Sequence, residues 1–333
     1  MKTFIIAEVA QAHDGSLGIL HSYIDALAAT GVDAVKFQVH IADAESSIHE
    51  PFRIRFSLVD KTRFDYWKRM EFTLEQWRGI KQHCEELGVE FLASPFSVEA
   101  VEWLEAINVK RYKIASGEIT NFLLLEKIAR TGKPVIMSSG MSNFEELQAA
   151  FDFFRKRNID VAVLQCTTLY PTPPEMLGLN VIPLLQNRFK CPVGYSDHSG
   201  NPAVPVAAYV SGARILEFHA VFDKVMFGPD SSSSLTISEI RSVVENIRYL
   251  EKSNANPVDK NSTAVFEESK KIFGKSLAVR QDFPVGHIIS YEDLESKKPA
   301  GFGIPASDFR SILGRKLKVP LKKYSFLNYN DLE

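Results

Sequence analysis

The chain has 333 residues, 45% hydrophobic and 24% charged, an ordinary soluble composition with room for one large domain and a small one. Its 39 basic and 41 acidic side chains leave a net charge of -2, so neither nucleic acid nor a membrane surface has an electrostatic claim on it. Three scattered cysteines, Cys84, Cys166 and Cys191, suit buried thiols in a reducing, cytoplasmic compartment better than a disulfide framework.

The opening MKTFIIAEVAQAHDG carries one lysine and a short apolar run with Glu8 inside it, so it reads as a first strand and not as a signal peptide. No apolar run approaches membrane-spanning length. From there, short runs rich in Val, Ile and Phe alternate with longer amphipathic segments, the pattern of parallel βα units. Strands are predicted near 4–9, 34–39, 89–93, 111–115, 134–138, 161–166, 192–195 and 214–218. Helices are predicted near 17–30, 73–88, 97–107, 121–131, 142–157, 177–187 and 201–212, with a last one near 237–252. Eight units in this span predict an α/β fold, a (β/α)8 TIM barrel over residues 1–252. A doubly wound open sheet rarely needs so many units in so regular an order.

In the second strand, AVKFQVH, the apolar Val35, Phe37 and Val39 alternate with Lys36, Gln38 and His40, so one face suits helices and the other points inward. Segment 40–72 has no clean period and reads as a long loop over the barrel mouth. Residues 253–274 turn polar and read as a linker with room for a short helix. Beyond it, residues 275–333 set Gly and Pro closely between short strand-like runs, a compact β-rich module whose core is marginal on its own.

Catalytic residues of such barrels come from the C-terminal ends of the strands. Those ends supply Glu8, Lys36, Gln38, Ser94, Lys113, Ser116, Glu118, Ser138, Gln165, Thr167, Thr168, Tyr170, Ser196, Asp197, His198, Glu217 and His219. Polar residues cap strands everywhere, but an inward lysine is costly unless it is paired or serves a ligand. Two lysines with several hydroxyls make a cradle for a phosphorylated anion. His198 and His219 close consecutive strands, which lie roughly 4.8 Å apart, so both imidazoles could reach one divalent cation. Glu217 shares the face of His219 through strand alternation. That set suggests metal-assisted activation of a carbonyl or water.

The motifs FIIAEVAQAHDGS, AVKFQV, EFLASPFS, YKIASGEITN, KPVIMSSGM, QCTTLYPTP, PVGYSDHS, LEFHAVFDK and GPDSSSSL closely resemble the sialic acid (nonulosonic acid) synthases. The tail KKPAGFGIPASDFRSILGRKL resembles their C-terminal module, the SAF domain, which is similar to type III antifreeze protein. The resemblance implies condensation of phosphoenolpyruvate with an N-acylated hexosamine, such as N-acetylmannosamine, to a 2-keto nonulosonic acid and phosphate. It further implies that His198 and His219 hold a divalent ion, Mn2+ foremost with Mg2+ or Co2+ as alternatives. Lys36, Ser94, Lys113, Ser116, Ser138, Thr168, Tyr170 and Ser196 match the phosphoenolpyruvate positions. Gln38, Glu118 and Asp230 match positions near the sugar, while Glu8 and Glu217 match acidic positions lining the site. A domain-swapped homodimer is implied as well, with residues 275–333 of one chain capping the barrel of the other and Lys298 reaching the acceptor.

The chain departs from the family pattern at Ala12-His13-Asp14-Gly15, where NHNG or NHEG is usual, and at Phe218, where a basic residue is usual. It also has Lys298-Pro299-Ala300 for Arg-Pro-Gly. The family arginine contacts the N-acyl group, and a lysine keeps its charge but loses the planar fork. A related synthase for an aldose lacking the N-acyl group is therefore the alternative. A tail acting as a binding module on an inert barrel is the non-enzymatic one.

Overall fold

The computed structural model describes residues 2–57 and 59–333, in two compact units, Met1–Ala255 and Asn256–Glu333. In the first, eight parallel strands alternate with helices. The strands are β1 (Phe4–Glu8), β2 (Ala34–Val39), β3 (Glu90–Pro95), β4 (Tyr112–Ile114), β5 (Val135–Ser138), β6 (Val161–Cys166), β7 (Val193–Asp197) and β8 (Ile215–Val221). Around them lie α1 (Leu17–Ala28), α2 (Ala42–Glu45), α3 (Arg63–Met70), α4 (Leu74–Glu86), α5 (Val98–Ala106), α6 (Phe122–Ala129) and α7 (Phe144–Arg155). The ring of helices is completed by α8 (Val181–Phe189), α9 (Ala203–Val210) and α10 (Ile237–Ala255). A short β9 (Leu235–Thr236) adds to β8. Hydrogen bonding runs in the order β3-β2-β1-β8-β7-β6-β5-β4, and β3 and β4 pack side by side without a ladder, so the barrel is nearly closed.

Alternation along each strand builds the interior in two storeys. Ile6, Ala34, Leu92, Ile136, Ala162, Leu164 and Ile215 form an apolar floor with Phe4 against it. Two residues further along their strands, the same inward face carries Glu8, Lys36, Ser94, Ser138 and Glu217, all buried. Residues of the opposite face, among them Ile5, Val35, Phe37 and Phe91, join the large core beneath the helices. The strand register then sets Glu8 beside both Lys36 and His219, and Ser196 beside Glu217.

Segment 40–72 is not the featureless loop that its lack of period predicted. Within it, α3 starts on a reciprocal capping box between Thr62 and Asp65 and buries Tyr66, Trp67 and Met70 with Ala42, Phe52 and Phe56. That small apolar cluster, separate from the main core, roofs one side of the mouth. Eight residues are too few to display a helical period, which is why the pattern was hidden; the Thr62-x-x-Asp65 box was the legible signal.

In the second unit, α11 (Glu267–Phe273) falls inside the segment read as linker. Strands β10 (Ser276–Val279) and β11 (Leu294–Lys297) pair antiparallel, and isolated bridges tie in the rest of the module. Leu277, Val279, Phe283, Ile289, Ile304, Ile312, Leu317, Leu327 and Leu332 make a core of its own. All three cysteines are free, and among the described residues no helix is long and apolar enough to cross a membrane.

Candidate active site

The strand ends open into a cavity of about 380 Å³. It is lined by Lys36, Gln38, Ser94, Lys113, Ser116, Glu118, Ser138, Thr168, Tyr170, Ser196, His198, Glu217, His219 and Asp230, so the structure brings nearly every candidate residue to one place. Glu8 lies beneath the lining, fully buried and ion-paired with Lys36. Lys298 belongs to the second unit, where its ammonium lies 5.1 Å from the Phe273 ring.

The cavity floor is a quartet of buried charges. Lys36 pairs with Glu8 and lies 3.4 Å from Glu217, and Lys113 lies 3.5 Å from the same Glu217 oxygen. Lys113 Nζ also donates to Ser138 Oγ at 2.6 Å, and Ser196 Oγ donates to Glu217 at 2.9 Å. Burial pushes the Glu217 carboxyl up, but Lys113 and Lys36 overcome it and hold it at about 2, so Glu217 is ionised. The two lysines differ. Burial pulls Lys36 down, yet Glu217 and Glu8 together raise it above the ordinary lysine value, whereas for Lys113 burial, abetted by Lys36, outweighs the pull of Glu217, Cys166 and Glu8 and leaves it lowered. Lys113 is thus an ammonium short of negative charge. Beside it, Ser94 Oγ, Thr168 Oγ1 and Glu217 Oε2 are buried with no hydrogen-bond partner, polar atoms that await a ligand. Gly140 lets these groups converge: a Cβ there would sit 2.1 Å from Ser116 Oγ and 2.2 Å from Thr168 Oγ1.

On the other side, the His198 and His219 ring centroids are 5.2 Å apart. His198 Nδ1 lies 2.9 Å from the Thr167 carbonyl and donates there, while Nε2 faces the Tyr170 hydroxyl at 3.0 Å; burial pulls the ring down, but Cys166 beside it raises it above the ordinary histidine value. His219 is held neutral, at about 3, by burial against the pull of Asp230, whose Oδ2 is 4.0 Å from Nδ1. Among the described residues no three His, Cys, Asp or Glu side chains form a metal-holding group. Two imidazoles on neighbouring strand ends, with the Asp230 carboxylate near one of them, are the side chains that would hold a divalent ion here, with water or substrate oxygens completing its shell.

Sequence reasoning missed the residues that reach the cavity from afar. Arg53 and Arg63 arrive from the segment after β2, and Cys166 lies 3.7 Å from His198 Nδ1 and 3.8 Å from Ser116 Oγ. His40 is stacked between Trp67 and Phe96, bonded to Glu45 at 2.6 Å and 3.0 Å from Gln38 Oε1, so it steadies the Gln38 amide. At the rim, burial pushes the Glu118 carboxyl up while Asn121 donates to it at 2.7 Å.

The NeuB family model matches residues 23–259, and the SAF domain model matches residues 274–333. N,N'-diacetyllegionaminic acid synthase of Campylobacter jejuni is 33% identical over 329 residues, 97% of this chain and 97% of that one. N-acetylneuraminate-9-phosphate synthase of Homo sapiens is 32% identical over 324 residues, 96% of this chain and 90% of that one. Among solved structures, N-acetylneuraminic acid (sialic acid) synthetase from Leptospira borgpetersenii serovar Hardjo-bovis matches with a TM-score of 0.70 at 28% identity, covering 81% of this chain and 90% of that one. Matched along nearly its whole length, the chain belongs to the NeuB family and ends in a SAF domain.

Proposed function

We propose that the protein is a phosphoenolpyruvate-dependent synthase that condenses phosphoenolpyruvate with an N-acylated hexosamine, giving a nonulosonic acid and phosphate with the help of a divalent metal. The relatives named as legionaminate and neuraminate-phosphate synthases support the reaction class. The observation that carries it onto this chain is the under-compensated, buried ammonium of Lys113 beside the unpartnered hydroxyls of Ser94 and Thr168. A buried cation with spare donors around it is stabilised by a multiply charged anion, and phosphoenolpyruvate is one.

In this reading Lys36 and Lys113, with Ser116, Ser138 and Thr168, grip the phosphate and carboxylate of phosphoenolpyruvate. C3 of the enol bonds to the aldehyde carbon of the open-chain sugar, and the positive charge left at C2 develops close to the ionised Glu217. Water adds at C2, and as the bond from C2 to the phosphate oxygen breaks, the new C2 hydroxyl passes its proton to the departing phosphate, leaving the 2-keto group and hydrogen phosphate beside the lysines. Glu118, pushed up by burial, suits proton exchange with the new hydroxyl, and the proton given up by the added water restores it. Gln38 and Asp230 present an amide and a carboxylate to the sugar, and Tyr170 and Ser196 complete the walls. His198 and His219 would hold the divalent ion, Mn2+ foremost, which when bound supplies a Lewis acid for the aldehyde oxygen.

An acceptor without the N-acyl group is the second reading, favoured by Lys298 standing where the family has an arginine. The assembly we propose is a homodimer in which the second unit of one chain serves the barrel of its partner. Phosphate release from phosphoenolpyruvate, with Mn2+ and a panel of aldoses, tests the function. Release with N-acylated hexosamines alone supports it, release with unacylated aldoses moves the reading to the alternative, and release with none overturns both.

A further inference from the structure

We infer that Arg53 is the residue that grips the acceptor sugar, and that this sugar enters without a phosphate ester. The inference rests on the proposed function and names the acceptor class for the same cavity. Arg53 Nη2 donates to Asp230 Oδ1 at 2.6 Å and to the Pro229 carbonyl at 3.3 Å. Its guanidinium carbon lies 4.1 Å from the centroid of the Tyr170 ring, which in turn stacks on His198 at 4.1 Å. The cation thus crosses the mouth from the β2 side to the β8 side and rests on the aromatic wall beside the histidine pair. Nε and Nη1 have no hydrogen-bond partner among the described residues. A planar fork held through one nitrogen, with its other donors unspent, can donate to a carbonyl or to a pair of vicinal hydroxyls.

The acceptor class follows from how charge is layered. The deep cations Lys36 and Lys113 are 5% and 2% exposed, and they serve the phosphoenolpyruvate end. Nearer the mouth, Arg53 is neutralised by Asp230, and Arg63 lies 3.5 Å from Glu50. Glu45 and Glu118 add further carboxylates to this outer layer, and among the described residues no lysine lines it. A phosphate dianion there would meet guanidinium charge already matched by Asp230 and Glu50 and would sit among further carboxylates, which repel it. A neutral polyol instead meets the unspent Nε and Nη1 donors of Arg53 and the carboxylate acceptors around it without any like-charge repulsion. Phosphorylated and free hexosamines therefore differ in how they meet this wall, and the wall favours the free sugar.

Steady-state kinetics on the full-length enzyme and its Arg53→Ala and Arg53→Lys variants test this, with phosphoenolpyruvate, Mn2+, and N-acylhexosamines each offered free and as the 6-phosphate. The unsubstituted enzyme should prefer the free sugar by about tenfold or more in kcat/KM. Arg53→Ala should raise the acceptor KM by about tenfold while the phosphoenolpyruvate KM stays within about twofold, the loss of one charge-assisted contact. Arg53→Lys should not restore it, because an ammonium lacks the fork. Preference for the 6-phosphate would overturn the acceptor class. An unchanged acceptor KM, equal rises for both substrates, or full rescue by lysine would overturn the role of Arg53, leaving it a tie between loops. An unsubstituted enzyme inert toward every aldose would fail the function itself, a result distinct from an active enzyme indifferent to Arg53.

Discussion

Lys36 and Lys113 share one carboxylate and one cavity, yet their removal should have opposite consequences. Lys36 is the one cation within ion-pair distance of the fully buried Glu8 among the described residues. Lys36→Met strands that carboxylate without a counter-charge, and breaking a buried pair from one side costs about 3–5 kcal/mol. Lys113→Met leaves Glu217 with Lys36 at 3.4 Å and the Ser196 hydroxyl at 2.9 Å, so no charge is stranded. It also deletes an ammonium that burial already disfavours, so stability should change by less than about 1 kcal/mol. What Lys113→Met should lose is affinity: one hydrogen bond to a charged group, about 1.5–3 kcal/mol, or about 10- to 150-fold in the phosphoenolpyruvate KM. Because the lowered Lys113 sheds its proton below the ordinary lysine range, the phosphoenolpyruvate KM of the unsubstituted enzyme should climb on the alkaline side, and Lys113→Met should flatten that limb. Urea unfolding followed by barrel tryptophan fluorescence, beside steady-state kinetics at several pH values, reads all three quantities. Equal destabilisation by the two substitutions would refute the charge assignment, and an unchanged phosphoenolpyruvate KM in Lys113→Met would refute the anion cradle.

Other expectations follow from the same geometry. Chelation should abolish phosphate release and Mn2+ should restore it, and His198→Ala or His219→Ala should lose activity with an unchanged circular dichroism spectrum; full turnover in a metal-free preparation would exclude the open two-histidine site. Gly140→Ala should displace Ser116 and Thr168, whose oxygens lie 2.1 and 2.2 Å from the added Cβ, and raise the phosphoenolpyruvate KM by about tenfold or more while the acceptor KM holds. An unaltered KM would mean that those hydroxyls do not touch substrate. Mixing a His198→Ala chain with a Lys298→Ala chain should recover activity in the mixed dimer if the tail of one chain serves the barrel of the other. No recovery between two impaired parents, despite proven subunit exchange, would count against the swap.

Much of the barrel was legible because its signals are local. A strand declares itself by alternation over two residues and a helix by a period near four, so Ile6 before Glu8 and Ala34 before Lys36 already announce which face turns inward. The same alternation marked Lys36, Glu217 and His219 as inward polar groups, and the consecutive strands bearing His198 and His219 set those imidazoles side by side. Tertiary structure decided everything that depends on residues meeting across the chain. Arg53 finds Asp230 at a separation of 177 residues, and no period in the loop after β2 foretold it. Nor could the sequence apportion the buried charges: Glu217 serves two lysines and Glu8 only one, a partition set by strand register and side-chain reach. Backbone hydrogen bonding and side-chain alternation are short-range and repeat along the chain, so they can be read in order. Ion pairs and aromatic stacks form wherever folding brings suitable groups within a few ångströms, and that closeness exists only once the barrel is built.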